Sequence, residues 1–313
     1  MFPCEDASRA GRPGLPSGRV RFWEVAAPAG GARDQEGSRV PLPAGLVVGT
    51  CGFGYPEWRG RFYPPELPPA SWLGFYAQVF EAVELDGTFY RPPEPAQVAV
   101  WAEALPERFA VSAKVPRAVT HEARLHGEAA AAMLRAFARA LGPLGDRLLA
   151  VVLQLPPSLD AAEGRQRLAR LLGDRPAGLP VVVEVRHRSW DRPWLPGLLE
   201  AAGAGLVVAD RPGEQPWPRP QGAPGYLRLL GDRRATPTIG RPVRDRAADL
   251  DRWAALLEAA GPRTGGPPAA AFANNRFEGA AFDTAAALRR RLGQPTVAPR
   301  ERWPAPPLPG LEP

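Results

Sequence analysis

The residue best suited to chemistry in this chain is Lys114. Of 39 basic residues it is the only lysine; arginine fills every other basic position. A lysine carries a compact charge whose pKa moves on burial, and as the free amine it is a nucleophile. It stands in Ala110-Val111-Ser112-Ala113-Lys114-Val115-Pro116-Arg117, an alternating apolar run that reads as a strand. Other ionisable and amide groups gather at the ends of similar runs. Glu84 and Asp86 share one face of the run 82–90, and Ser112 and Lys114 share one face of the run 108–116. Gln154 closes the run 148–156, and Glu184 and Arg186 share a face of 179–187 with His187 at its edge. Asp210 ends 205–210, Arg228 lies within 225–231, and Asn274 and Asn275 end 269–275. Burying such groups unpaired costs free energy, so they must meet each other or a ligand. The chemistry they suggest is acid–base: Glu84 or Glu184 as acid or base, and Lys114 to stabilise an anion or attack a carbonyl. Arg117, Arg186 and Arg228 suit a carboxylate or phosphate. His187 and His121, the latter in the loop after the third run, titrate near neutral pH.

These groups converge only if the strands that carry them do. Eight runs (46–53, 82–90, 108–116, 148–156, 179–187, 205–210, 225–231 and 269–275) alternate with helical segments at 71–80, 96–105, 127–141, 161–172, 194–202, 245–260 and 279–292. That order predicts an α/β fold, a (β/α)8 TIM-type barrel. Residues 211–223 are rich in Pro and Gly, so the helix after strand six is expected to be missing. An open doubly wound sheet is the competing fold, but the glycines at 49–54 lack the dinucleotide-binding spacing. In a barrel, the strand ends meet at one mouth. Strands two and three are neighbours, so Lys114 is expected beside Glu84, whose charge would raise its pKa and favour a fixed cation over a Schiff-base former. Residues 1–44 read as a flexible Gly/Pro/Arg-rich extension, 45–294 as the barrel and 295–313 as an irregular Pro-rich tail.

Composition narrows the function classes. The net charge is +6 in 313 residues, but the arginines are interleaved with acids and form no long basic block. Two cysteines support neither a disulfide framework nor a thiolate zinc site. No apolar run reaches the length of a membrane span and no signal pattern opens the chain, so a cytoplasmic, membrane-free setting is the expectation.

Two alternatives to acid–base chemistry stand beside it. Glu84, Glu184, His187 and Asp210 could bind a divalent metal in a hydrolase, but the neighbouring cations Lys114 and Arg186 oppose it and no other cofactor is indicated. Tyr55, Trp58, Phe62 and Tyr63, interleaved with Arg59 and Arg61, could stack single-stranded nucleic acid or fold as an apolar lid over the mouth; the lid is favoured. A phosphate site is expected at Gly231, Asn275 and the helix start at Gly279.

Several segments together resemble the domain-of-unknown-function family 72, the YecE-like family. They are Val48-Gly49-Thr50-Cys51-Gly52-Phe53 with Tyr55, Trp58, Gly60, Phe62, Tyr63 and Pro64; Val83-Glu84-Leu85-Asp86-Gly87-Thr88-Phe89-Tyr90; and Lys114-Val115-Pro116-Arg117 with Thr120-His121. Glu184-Val185-Arg186-His187 with Ser189-Trp190, Asn274-Asn275 with Gly279, and the weaker Gln154-Leu155-Pro156-Pro157 complete the set. Tyr90 and Trp190 lie inside these segments and join Asp86, Arg117, His121, Gln154, Arg186, Asp210, Arg228, Asn274 and Asn275 as ligand-binding candidates. The resemblance implies a TIM barrel and supplies no reaction. Relative to the family pattern, Asp86 and Gly87 replace Asn and Ser, and Leu230 replaces a histidine at the mouth. The expected function is therefore an enzyme (hydrolase, lyase or isomerase) acting on a small sugar-like or phosphorylated ligand.

Overall fold

All eight apolar runs become parallel strands of one closed barrel, in the order in which they occur along the chain. They are β1 Leu46–Cys51, β2 Ala82–Leu85, β3 Ala110–Lys114, β4 Leu148–Gln154, β5 Val181–Glu184, β6 Ala204–Asp210, β7 Tyr226–Leu229 and β8 Ala269–Ala273. The computed structural model describes residues 45–211, 225–259 and 268–304. β1 closes on β8 from Leu46 opposite Ala269 to Thr50 opposite Ala273.

Both faces of each strand are covered, which is why the runs are nearly continuous in apolar residues. Val48, Val83, Val111, Leu153 and Val183 belong to the large core under the helices, whereas Val47, Ala82, Ala110, Val152, Tyr226 and Phe272 form a smaller cluster of their own. The second set alternates with the first along the strands and continues toward the strand ends as Cys51, Glu84, Ser112, Gln154 and Arg228. Thus the barrel interior is apolar at its floor and polar at its upper layer.

The outer layer comprises α1 Trp72–Tyr76, α2 Pro95–Ala104, α3 Gly127–Ala140, α4 Ala161–Gly173, α5 Trp194–Ala201, α6 Ala247–Glu258, α7 Asn275–Glu278 and α8 Ala281–Arg291. α3 shows the pattern that docks them: Ala130, Ala131, Leu134 and Phe137 are buried, at spacings that share one helical face. α4 starts where the Asp160 carboxylate accepts the Glu163 N–H.

Three expectations change. The run 82–90 is not one strand: β2 stops at Leu85 and Asp86–Phe89 turns into a 3₁₀ helix, fixed by the Thr88 hydroxyl donating to Leu85 O and Lys114 O. The helix expected over 279–292 is broken at Gly279, whose φ of 121° favours glycine, so α7 and α8 are separate. The segment after 294 packs on the barrel as far as Trp303, whose indole N–H donates to Phe62 O. The expected loop at 211–223 and extension at 1–44 lie, apart from Arg211, outside the described residues.

The aromatics after β1 form neither a stacking surface nor a lid. Trp58, Phe62 and Tyr63 are fully buried and pack against Trp72, Phe75, Tyr76, Phe80 and Phe282. They are the core between the first loop, α1 and α8. No helix among the described residues is long and apolar enough to cross a membrane.

Candidate functional site

Arg228 organises the polar layer. Its guanidinium is 1% exposed and lies among three carboxylates supplied by two other strands and the turn after β2. Nε and Nη2 donate to Glu84 Oε1 at 3.0 and 2.6 Å, and Nη2 also donates to Asp86 Oδ1 at 2.9 Å. Nη1 donates to Glu184 Oε2 at 2.5 Å. Tyr226, two residues earlier on the same face of β7, donates its hydroxyl to Glu84 Oε2 at 2.8 Å.

Both oxygens of Glu84 are therefore occupied, and the residue has no solvent exposure. Its pKa is raised by burial; Arg228 opposes the shift and the like charge of Asp86 adds to it. Glu184 behaves oppositely. Burial pushes its pKa up, but Arg228, Arg186 and Arg211 outweigh that and hold it well below the carboxylate range. Arg186 Nε and Arg211 Nη2 donate to its Oε1 at 2.8 and 3.1 Å. The difference follows from the number of partners: Glu184 faces three guanidinium groups, Glu84 one. Neither is poised to exchange protons with a ligand, so the acid or base role expected of them is corrected to that of anchors. The structure likewise corrects the pairing of Lys114 with Glu84. Register sets Glu84 opposite Ser112, two residues before Lys114, and Arg228 and Tyr226 take the carboxylate.

Above this layer lies a cavity of ≈ 450 Å³ at the C-terminal ends of the strands. That volume suits a small metabolite. Asp86, Lys114, Gln154, Arg186, Arg228 and Asn274 line it, joined by Arg211 and the segment Leu230–Arg233 after β7. Lys114 Nζ lies 4.2 Å from the centre of the Phe89 ring. Among the described residues no carboxylate pairs with it. Burial lowers its pKa; Asp86 and Glu184 pull it back, while Arg228 and Arg186 push it further down. The net direction is downward, opposite to the sequence expectation, because burial outweighs the pull of Asp86 and Glu184. Arg186 spends Nε on Glu184 and Nη2 on Gln154 Oε1, leaving Nη1 for a ligand. Gln154 accepts through Oε1 and leaves its NH2 group as a donor.

His121 is set close by a π-helical turn, Ala118–Glu122, after β3. Its ring meets Phe89 edge-on at 5.0 Å and its Nδ1 bonds the Thr120 hydroxyl. Burial, then Arg186, Lys114 and Arg117, lower its pKa, so the imidazole is neutral near pH 7.

The other candidates are not brought to the cavity. Asp210 shares the strand parity of Val208, faces the helices and accepts from Arg246 Nη2 and the Trp253 indole on α6. His187 Nδ1 bonds the Ser189 hydroxyl and caps the turn after β5. Trp190 is fully buried and donates its indole N–H to Leu159 O. Tyr90 is 78% exposed at the end of the 3₁₀ turn, a consequence of the early end of β2. Arg117 is exposed and pairs with Glu122. Asn275 Oδ1 accepts from the Trp58 indole and from Ala281 N, tying the first loop to the α7–α8 junction. Gly279 packs against Arg241 and Val243, so the phosphate site expected at that helix start does not form there. Gly231 and Asn274 do line the cavity, and the Asn274 side chain also caps α7.

The alternative metal set is likewise dispersed, since Asp210 and His187 point elsewhere. A tighter group, Cys51, Glu84 and Asp86, brings its ligand atoms within 4.8 Å of one another. Arg228 Nη2 already sits there, 2.6 Å from Glu84, 2.9 Å from Asp86 and 3.9 Å from Cys51 Sγ. A guanidinium fills the place and charge a cation would take, so these residues do not fit a metal.

Sequence reasoning missed Tyr226, Arg211, Asp232 and Arg233. Tyr226 was accessible through its two-residue spacing from Arg228. The other three follow strand ends in loops, where no periodicity marks a direction.

The comparisons agree with this architecture. The family model described as "Protein of unknown function DUF72" matches residues 47–308. A DUF72 family protein of Thermotoga maritima is similar in structure, with a TM-score of 0.66 and 25% identity, covering 80% of this chain and 100% of that one. A DUF72 family protein of Enterococcus faecalis gives a TM-score of 0.62 at 20% identity, covering 80% and 97%. The UPF0759 protein YunF of Bacillus subtilis is 27% identical over 152 residues, 47% of this chain. The match spans about half the length of that relative, 53%.

Proposed function

The chain belongs to the DUF72 family, and we propose that it is an enzyme acting by acid–base chemistry on a small, polar, anionic ligand, sugar-like or phosphorylated, at the C-terminal mouth of the barrel. The carrying observation is Lys114, which pairs with no carboxylate among the described residues, in a cavity whose other described lining groups are mostly cations and amides. Among the described lining residues Lys114, Arg186, Arg211, Arg228 and Arg233 stand with Asp86 and Asp232. A ligand anion would receive Lys114 Nζ, Arg186 Nη1 and the Gln154 amide. Glu184 and Arg228, the latter fixed by Glu84, hold Arg186 and Gln154 in place, as electrostatic preorganisation requires. Burial lowers the pKa of Lys114, which eases the loss of its proton; Asp86 lines the same cavity and His121 shares the Phe89 ring with Lys114, so both stand near it as proton acceptors.

Thermal-shift and calorimetric titrations with inorganic phosphate, sugar phosphates and small hydroxy and oxo acids test this. At least one of these should raise the Tm of the wild type, and the shift should vanish in Lys114→Met and Arg186→Met. Equal shifts in wild type and both variants, or none across the panel, would refute the reading.

A further inference from the structure

We infer that Lys114 forms an iminium with its ligand, and hence that the ligand carries an aldehyde or ketone as well as an anionic group: a 2-oxo acid or a phosphorylated triose. This rests on the reading of the mouth as an anion site. A lysine kept only as a counter-charge to the acids of the protein would sit against a carboxylate. Lys114 instead lies on the face of Phe89, with no carboxylate partner among the described residues. The ion-pairing of this layer is carried by Arg228, Arg186 and Arg211. A guanidinium in place of Lys114 would serve the charge equally well but could not attack a carbonyl.

The surroundings favour the free amine. Burial is the largest effect and opposes the ammonium, as do Arg228 and Arg186; Asp86, Glu184 and the face of the Phe89 ring favour it but do not outweigh burial. His121, on the same ring, is uncharged near neutral pH and adds no cation. A desolvated lysine beside other cations is the arrangement that yields an amine nucleophile. The remaining donors have a matching task. Arg186 Nη1 and the Gln154 amide bind the anionic end and present the carbonyl carbon to Nζ.

The step balances without a further reactant. The ammonium first gives up one proton; the free amine adds to the carbonyl carbon and the C=O electron pair goes to oxygen. That oxygen takes up the released proton and one from nitrogen and leaves as water. Ammonium plus carbonyl thus becomes iminium plus water, with the positive charge kept on nitrogen.

The sequence makes the test clean, because a lone lysine leaves only the α-amino group as a competing amine. The full chain is incubated separately with pyruvate, dihydroxyacetone phosphate and glyceraldehyde 3-phosphate. Sodium borohydride then reduces any iminium to a stable secondary amine, which intact mass and peptide mapping locate. At least one compound should label Lys114 about tenfold or more faster in folded than in urea-unfolded protein at pH 7, because only the folded site binds the anionic end and holds the carbonyl carbon against Nζ. Excess inorganic phosphate should slow that labelling, and Lys114→Arg, checked for native circular dichroism, should abolish it. Labelling confined to the α-amino group, or equal rates folded and unfolded, would overturn the inference. Calorimetry with the same three compounds separates the two readings. Binding without an adduct removes the iminium and leaves the anion site, whereas no binding of these or of the wider panel removes both.

Discussion

At the scale of the residue, the polar layer shows that partners, not residue type, decide what an ionisable group does. Glu84 and Glu184 both touch Arg228 and both are sealed from solvent. Their pKa values nevertheless move in opposite directions, because Glu184 has gathered two further guanidinium groups. Lys114 is what remains once Glu84, Asp86 and Glu184 have paired with arginines. Its folded-state pKa is lowered, so below that pKa the native protein bears the full cost of a buried ammonium, and above it the cost of discharging the amine. Between the lowered pKa and the unfolded value of about 10.4 the unfolded chain binds more protons, and stability rises with pH. Lys114→Met removes this cost. It should stabilise the protein at pH 7 by about 1 kcal/mol, as relieved functional sites commonly do, raising the Tm by about 2–4 °C for a domain of this size. The gain should shrink as pH climbs toward 10. Thermal denaturation of both proteins at pH 7 and pH 10 checks the sign, and a variant less stable at pH 7 would show that Lys114 holds the fold together.

At the scale of the element, legibility depended on whether a strand carried an alternating pattern. β3 alternates small and apolar residues around Ser112 and Lys114, so its inward face could be read. β6 is Ala204-Gly205-Leu206-Val207-Val208-Ala209-Asp210, apolar on both faces, and gave no parity. Asp210 was therefore assigned to the mouth although it faces α6. The end of β2 was also illegible, because Thr88 bends the chain by bonding Lys114 O, a contact between distant segments. Close approaches are similarly hidden. A Cβ at Gly231 would lie 1.7 Å from the backbone carbonyl atoms of Arg276, so the end of β7 fits against α7 only without a side chain. Gly231→Ala must push α7 away and with it Asn274, which both caps α7 and lines the cavity. Overpacking of this kind costs about 1–3 kcal/mol or more. The variant should show a lower Tm and also weaker ligand binding than wild type. Loss of stability with unchanged affinity would mean that α7 does not shape the mouth.

At the scale of the whole molecule, strand count and order were legible because parallel strands covered on both faces must be apolar and must alternate with helices. Convergence of polar strand ends followed from barrel geometry alone. What the sequence could not convey is that one side chain spans the interior: Arg228 of β7 reaches Glu84 of β2, Asp86 beyond it and Glu184 of β5. The sealed upper layer is thus a tie between strands far apart around the barrel, and the cavity above it inherits that rigidity. Breaking such a buried network by removing one partner costs about 3–5 kcal/mol, or roughly 10 °C in Tm at this size. Arg228→Met should show this loss near pH 8, where three carboxylates are left together without their central cation. With Arg228 gone, Glu84 has no guanidinium partner and its native pKa, which burial already raises, would climb further above the unfolded one, whereas Glu184 keeps Arg186 and Arg211. The penalty would be full above that native value and fade as pH falls through the carboxylate range, so the deficit relative to wild type should be clearly smaller at pH 5 than at pH 8. A deficit of the same size at both pH values would mean that Arg228 acts by packing, and that its charge is not what joins the strands.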